Sequence, residues 1–207
     1  MSKKKLSNGI VWDYYLGSGY YKADVRDSYG DPYFDKYEMY EQTDLGRRLN
    51  KARVEFVGKY LDPSKTVVDF GCGSGTFIRA RGANTWGYDV CMKSVKWLVE
   101  RDLWWDPWFK KMPSASFWDS LEHVDDLPGI LSRVESHAFI SIPIFTSAEH
   151  AVISKHFRPD EHFHYFTELG LKTVMKLNGF DLLESNSMET DLGREEIRTF
   201  AFLKRTR

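Results

Sequence analysis

Short apolar runs and helically spaced apolar positions alternate along most of this chain. Val67 and Val68, followed by Asp69 and Phe70, form a β-branched run that suits a buried strand. Comparable runs at 85–88, 114–118 and 137–142 predict further strands, and 103–105 predicts a short edge strand before Asp106-Pro107. Between them lie helix patterns. Asp31-Pro32 reads as a cap and first helical residue for a helix through Tyr40. Thr43 caps a longer helix with Leu45, Leu49, Ala52, Phe56, Val57 and Tyr60 on one face, ended by Asp62-Pro63. Val95, Leu98 and Val99 mark the inward face of a helix over 92–101, and Thr167 caps one that carries Leu169, Leu171, Val174, Met175 and Leu177 and stops at Asn178-Gly179. Two last runs, 180–184 and 196–203, read as an antiparallel pair. The pattern predicts an α/β fold with a mostly parallel sheet.

The link from the first strand to its helix is Gly71-Cys72-Gly73-Ser74-Gly75. Glycines there let the backbone approach a ligand and aim amide groups at it, at the carboxyl end of a parallel strand where open α/β sheets bind ligands. A second acid, Asp89, closes the next strand at the interval expected of a ribose-binding carboxylate. A dinucleotide fingerprint needs G-x-G-x-x-G, yet its third glycine position is Thr76 and the pattern is G-x-G-x-G. A nicotinamide oxidoreductase is thereby disfavoured.

Through Asp69, Gly71, Gly73 and Gly75 the chain resembles the class I S-adenosylmethionine-dependent methyltransferases. The resemblance implies a Rossmann-like, mostly parallel seven-stranded sheet in the order 3-2-1-4-5-7-6, with helices on both faces and an N-terminal helical and aromatic cap. It implies S-adenosylmethionine as methyl donor and S-adenosylhomocysteine as product. Asp69, Phe70, Gly71, Cys72, Gly73 and Gly75 would hold the methionine end, Asp89 and Val90 the ribose, and Asp119 the edge of the same site. Tyr33 and Tyr37 would line a cover over the donor.

Size and charge narrow the partners. A length of 207 residues suits one domain, read as a cap over 1–62 and a core over 63–207. A formal net charge of -1 provides no global basic field for nucleic acid, although Lys3-Lys4-Lys5 and Lys204-Arg205 are locally basic. Cys72 and Cys91 form neither a disulfide framework nor a metal spacing, and no apolar run is long enough for a membrane span or signal peptide. A soluble, cytoplasmic protein is expected. The aromatic residues before 43 argue against a disordered tail; they suit a lid, or stacking on bases.

Reaction chemistry is expected at 117–124, where the fourth strand ends in Asp119-Ser120-Leu121-Glu122-His123-Val124. This segment resembles the Leu-Glu-His-Val stretch of small-molecule methyltransferases, ubiquinone-pathway O-methyltransferases among them. Asp119, Glu122 and His123 are candidates to align the acceptor or remove its proton. The alternative is that Glu122 and His123 begin a helix and satisfy its amides. Asp119, Glu122 and His123 also match, at i, i+3 and i+4, an acid-x-x-Glu-His set proposed as metal ligands in ubiquinone-type enzymes. Asp119 and Ser120 depart from that set, and no metal ligand is assigned. Residues 160–164 gather acids and imidazoles, and His164 and Tyr165 are candidate substrate contacts by resemblance to an H-x-x-x-F-T run. Arg158 is a candidate anion contact or a surface ion pair. Motifs of nucleobase methylation are missing from the sequence. The expected reaction is methyl transfer to O or N of a small molecule; a macromolecular acceptor and non-catalytic binding of the donor are the alternatives.

Overall fold

The computed structural model describes residues 2–22 and 31–206, without the side chains of Asp31, Tyr33, Lys36 and Tyr37. Three short strands come first: β1 (Lys3–Lys5), β2 (Val11–Asp13) and β3 (Ser18–Tyr20). Helices α1 (Asp31–Glu41) and α2 (Asp44–Gly58) follow. The alternating part comprises β4 (Val67–Phe70), α3 (Thr76–Arg81), β5 (Thr85–Tyr88), α4 (Met92–Val99), β6 (Ala115–Trp118), α5 (Leu127–Ser132) and β7 (His137–Pro143). The remainder is α6 (Ala148–Ile153), β8 (His164–Phe166), α7 (Glu168–Leu177), β9 (Phe180–Asn186), α8 (Met188–Asp191) and β10 (Ile197–Lys204).

The central sheet runs β5-β4-β6-β7-β10-β9, with β5, β4, β6 and β7 parallel and β10 antiparallel to both neighbours. Among the described residues it therefore has six strands where seven were expected. Residues 103–105 make only an isolated parallel bridge, Gly87 to Trp104, with Gly87 N donating to Leu103 O and Trp105 N to Gly87 O. The stretch is confined between Asp102, at φ 55°, and Asp106-Pro107, which leaves no length for a ladder.

Burial explains the rest of the architecture. Val67 and Val68 are wholly buried, and Phe117, Ile140, Phe200 and Phe202 join a core covered by α5 and α7 through Leu131, Leu171 and Met175. On the opposite face α2 contributes Phe56 and Val57 beside Val67 and Phe139, the Phe56 and Phe139 rings meeting edge-on at 6.1 Å. Thr43 and Thr167 cap α2 and α7 as expected, each hydroxyl accepting from the amide of a glycine three residues on.

Several N-terminal aromatics belong to a second sheet. Strands β1, β2 and β3 continue into β8 as a separate four-stranded sheet, in which Ser18, Gly19 and Tyr20 pair with Phe166, Tyr165 and His164. Trp12 is buried with Ile10, Phe145, Ala148 and Tyr165, so it packs on the segment that follows β7. Helix α1 lies against α2, α3 and α4. The side chains of Tyr33 and Tyr37 lie outside the described residues. Among the described residues, no helix is long and apolar enough to cross a membrane.

Candidate active site

The glycine turn wraps around two buried acids. Gly71, Gly73 and Gly75 have φ values of 76°, 54° and 77°, in the left-handed region that L side chains rarely occupy. A Cβ on Gly71 would sit 2.5 Å from the Ser120 Cβ, and Ser120 in turn donates to Phe70 O at 2.5 Å, so the turn and the end of β6 are in contact. Asp89 at the end of β5 fastens the turn: Gly73 N donates to Oδ2 at 2.7 Å and Cys91 N to Oδ1 at 2.8 Å. Burial pushes the Asp89 carboxyl above its ordinary range, opposed by those amides. Asp69 accepts from Ser116 Oγ at 2.8 Å; burial raises its pKa to about 7 against the pull of Ser116 and Arg53.

A cleft of about 210 Å³ opens beside this turn, lined by Phe70, Gly71, Tyr88, Asp89, Val90 and Trp108, and bounded by Asp119, Ser120, His123 and Val124. Phe70 stacks on Tyr88 at 4.8 Å along its wall. The cleft gathers Phe70, Gly71, Asp89, Val90 and Asp119 from the expected donor-binding set. Cys72 points away, into a cluster with Ile78 and Leu98, where burial raises its thiol well above the ordinary value.

A larger cavity of about 490 Å³ adjoins it, lined by Asn50, Arg53, Thr76, Asp119, Glu122, His123, His156, Arg158, His162 and Arg194, among others. At its wall four charged side chains interlock. Arg53 donates to Glu189 through Nε (2.7 Å) and Nη2 (3.1 Å), and reaches Asp119 Oδ2 at 3.3 Å. Arg194 donates to Asp119 Oδ2 at 2.7 Å and also to Glu189 Oε2. Glu189 is fully buried on α8. Burial alone would raise the Asp119 pKa, but the Arg194 and Arg53 guanidiniums outweigh it and hold the carboxyl below its ordinary value. Asp119 is thus a fixed anion and a poor proton acceptor, held at φ 54°.

Glu122 and His123 belong to a single 3₁₀ turn, Leu121–His123, rather than to the start of a longer helix. The amide of Phe163 donates to Glu122 O at 2.9 Å and brings the loop before β8 onto this turn. His162 consequently meets His123 edge-on at 4.6 Å between ring centroids. One ligand atom each from Glu122, His123 and His162 lies within 4.8 Å of the others. Burial, reinforced by Asp119, raises Glu122 well above its ordinary value, and its Oε2 has no hydrogen-bond partner among the described residues. Burial lowers both histidines, His162 to about 2, so each ring is neutral near pH 7. His164 is placed elsewhere, on β8, its Nε2 3.3 Å from Asp125 O and its ring 5.5 Å from Tyr20. Tyr165 is buried, with its hydroxyl donating to His162 O at 3.3 Å. Arg158 lines the cavity while pairing with Glu161 at 3.2 Å.

Sequence reading did not find Arg53, Trp108, Glu189 or Arg194. Arg53 had a signal, being a cation inside the apolar stripe of α2 between Leu49 and Val57. Glu189 and Arg194 had none, because their partner lies across the fold.

Comparison with known proteins identifies the family and the fold. Residues 39–185, more than half of the chain, match the methyltransferase domain family. Magnesium protoporphyrin IX methyltransferase from Synechocystis PCC 6803, solved with S-adenosylhomocysteine bound, superposes with a TM-score of 0.63 at 16% identity, over 87% of this chain and 98% of that one. An S-adenosylmethionine-dependent methyltransferase from Archaeoglobus fulgidus gives 0.57 at 21% identity, over 84% and 100%. One from Clostridium acetobutylicum gives 0.60 at 12% identity, over 85% and 100%. No curated protein matches the chain. The chain belongs to the methyltransferase domain family and has the fold of the class I S-adenosylmethionine-dependent enzymes.

Proposed function

We propose that this protein transfers a methyl group from S-adenosylmethionine to an oxygen or nitrogen of a small-molecule acceptor. The observation that carries this reading is that the cleft at the glycine turn and the larger cavity share two lining residues, Asp119 and His123. A donor along the turn and an acceptor in the cavity would therefore meet at these two side chains.

The fit to the donor rests on the turn. Gly71 has no room for a Cβ, Asp69 and Asp89 are buried acids, and the Trp108 ring lines the far wall. Asp69 would attract the positive methionine end, Asp89 would hold the turn in shape and face the ribose, and Trp108 would pack against the base. When bound, S-adenosylmethionine supplies a methyl group on a sulfonium, a leaving group that needs no protonation. The work of the chain is then alignment and disposal of the acceptor's proton. The Asp119 carboxylate, pinned by two arginines, fixes the wall between donor and acceptor. The neutral imidazoles of His123 and His162 line the cavity beside it. The cavity suits a small acceptor, and the near-zero net charge gives no field for a nucleic acid.

Asp69 makes the reading testable by pH. Its folded pKa of about 7 lies above the ordinary 3.8, so between those values the folded state holds a proton that the unfolded state has lost. Stability without donor should fall as pH rises through that window. A cationic donor favours the ionised carboxylate, so affinity should rise between about pH 6 and 7.5, by no more than tenfold per pH unit. Calorimetric titration with S-adenosylmethionine across this range checks it, with NADH as a control ligand. A flat profile in the native protein, or the same slope in Asp69→Asn, would remove Asp69 from donor binding. Transfer of labelled methyl to fractionated small-molecule extracts, against none to an RNA, DNA or protein pool, tests the acceptor class.

A further inference from the structure

We infer that Glu122, His123 and His162 form a binding site for one divalent transition-metal ion of the zinc type, at the acceptor side of the cavity. The set differs from the acid-x-x-Glu-His spacing in the sequence. Asp119 does not belong to the converging group, and its Oδ2 is held by Arg194 at 2.7 Å and Arg53 at 3.3 Å. His162 enters instead from a distant segment, drawn in by the Phe163 to Glu122 backbone bond.

Two independent observations point to an ion. The first is convergence: two imidazoles and a carboxylate offer ligand atoms within 4.8 Å of one another. Ligands at about 2.0–2.1 Å around a tetrahedral ion stand about 3.3 Å apart, so side-chain rotation must draw them closer. The second is an unmet need. Glu122, which lines the cavity, is 2% exposed and its Oε2 has no hydrogen-bond partner among the described residues. A buried carboxylate oxygen left bare is costly, and a cation is the partner that this cluster supplies room for.

The His123 ring also interacts with the backbone carbonyl of Glu161, the kind of outer contact that fixes the tautomer of a metal-binding histidine. The neighbouring cations are neutralised, Arg158 by Glu161 and Arg194 by Asp119 and Glu189. Two imidazoles with one carboxylate favour zinc, iron or cobalt over magnesium, which takes oxygen ligands. Three protein ligands leave a coordination position facing the cavity. The ion's use rests on the function proposed above: it would polarise an acceptor hydroxyl or amine beside Asp119 and His123.

The test uses the whole chain, stripped with a chelator and titrated with zinc, magnesium and cobalt(II) separately, with circular dichroism as the check on folding. The expected result is one zinc per chain, no competing magnesium binding, and visible cobalt(II) absorption of a low-coordinate site. Glu122→Gln and His162→Gln should each weaken zinc binding about tenfold or more. His164→Ala, whose ring lies outside the cluster, should bind zinc as the native chain does. Failure of the native chain to bind zinc, or undiminished binding in both folded cluster variants, overturns the site. S-adenosylmethionine is titrated into the same samples. Donor binding without zinc binding overturns only the metal site; zinc binding without donor binding supports the site and overturns the donor reading.

Discussion

Glu189→Ala should destabilise the protein by about 3–5 kcal/mol, because it strips the main counterion from Arg53, which is buried, and from Arg194, whose side chain is only a quarter exposed. Arg53 is 8% exposed and directs two hydrogen bonds at Glu189, and Arg194 shares the same carboxylate. After the substitution both guanidiniums must share Asp119. For a chain of this size the loss corresponds to a melting temperature lower by roughly 6–20 °C. Thermal denaturation followed by circular dichroism measures it. The conservative Glu189→Gln keeps the shape and two acceptor positions but no charge, and should fall between the alanine variant and the native chain. A shift of less than 2 °C in the alanine variant would mean that solvent reaches these arginines easily and that the network does not hold the end of β6.

Asp89→Ala should weaken S-adenosylmethionine binding on the order of 100-fold. The carboxylate accepts the amides of Gly73 and Cys91, so its removal leaves two backbone donors unpaired in a buried turn. Hydrogen bonds to charged groups are worth about 1.5–3 kcal/mol each, and tenfold in affinity is about 1.4 kcal/mol. Part of the loss falls on folding and part on the donor, which must meet a turn no longer fixed. Calorimetry gives the affinity, and melting curves with and without donor separate the two contributions. Asp89→Asn, which retains one acceptor, should recover part of the binding. Native-like affinity in the alanine variant would show that the turn keeps its shape unaided and that the acid does not contact the ribose.

What the sequence revealed was what short stretches of chain decide. The β-branched run before Asp69, the three glycines after it and the threonine caps at 43 and 167 act within a few residues, and each was legible. The strands of the smaller sheet were not. Lys3–Lys5 is exposed and has no apolar alternation, and β3 finds its partner, β8, more than a hundred residues away. The aromatic content of that segment was visible, but its partner was not. The site divides the same way. Asp119, Glu122 and His123 lie on one short stretch and were found together. The guanidiniums that pin Asp119, and the imidazole that turns to His123, come from α2, from the connection between α8 and β10, and from the loop before β8.

The route by which Asp119 is pinned also sets an order of assembly. A chain emerging from the ribosome presents Val67–Phe70, the glycine turn and β6 well before it presents Glu189 and Arg194. Domains form as synthesis proceeds, so an early intermediate can own the donor cleft while Asp119 and Arg53 still lack half of their partners. Only when the 180–204 hairpin adds to β7 does the wall between donor and acceptor become rigid. Closing the sheet and completing the ion-pair network around Asp119 are therefore one event, because Glu189 and Arg194 lie on the segment that carries β10 to its place beside β7.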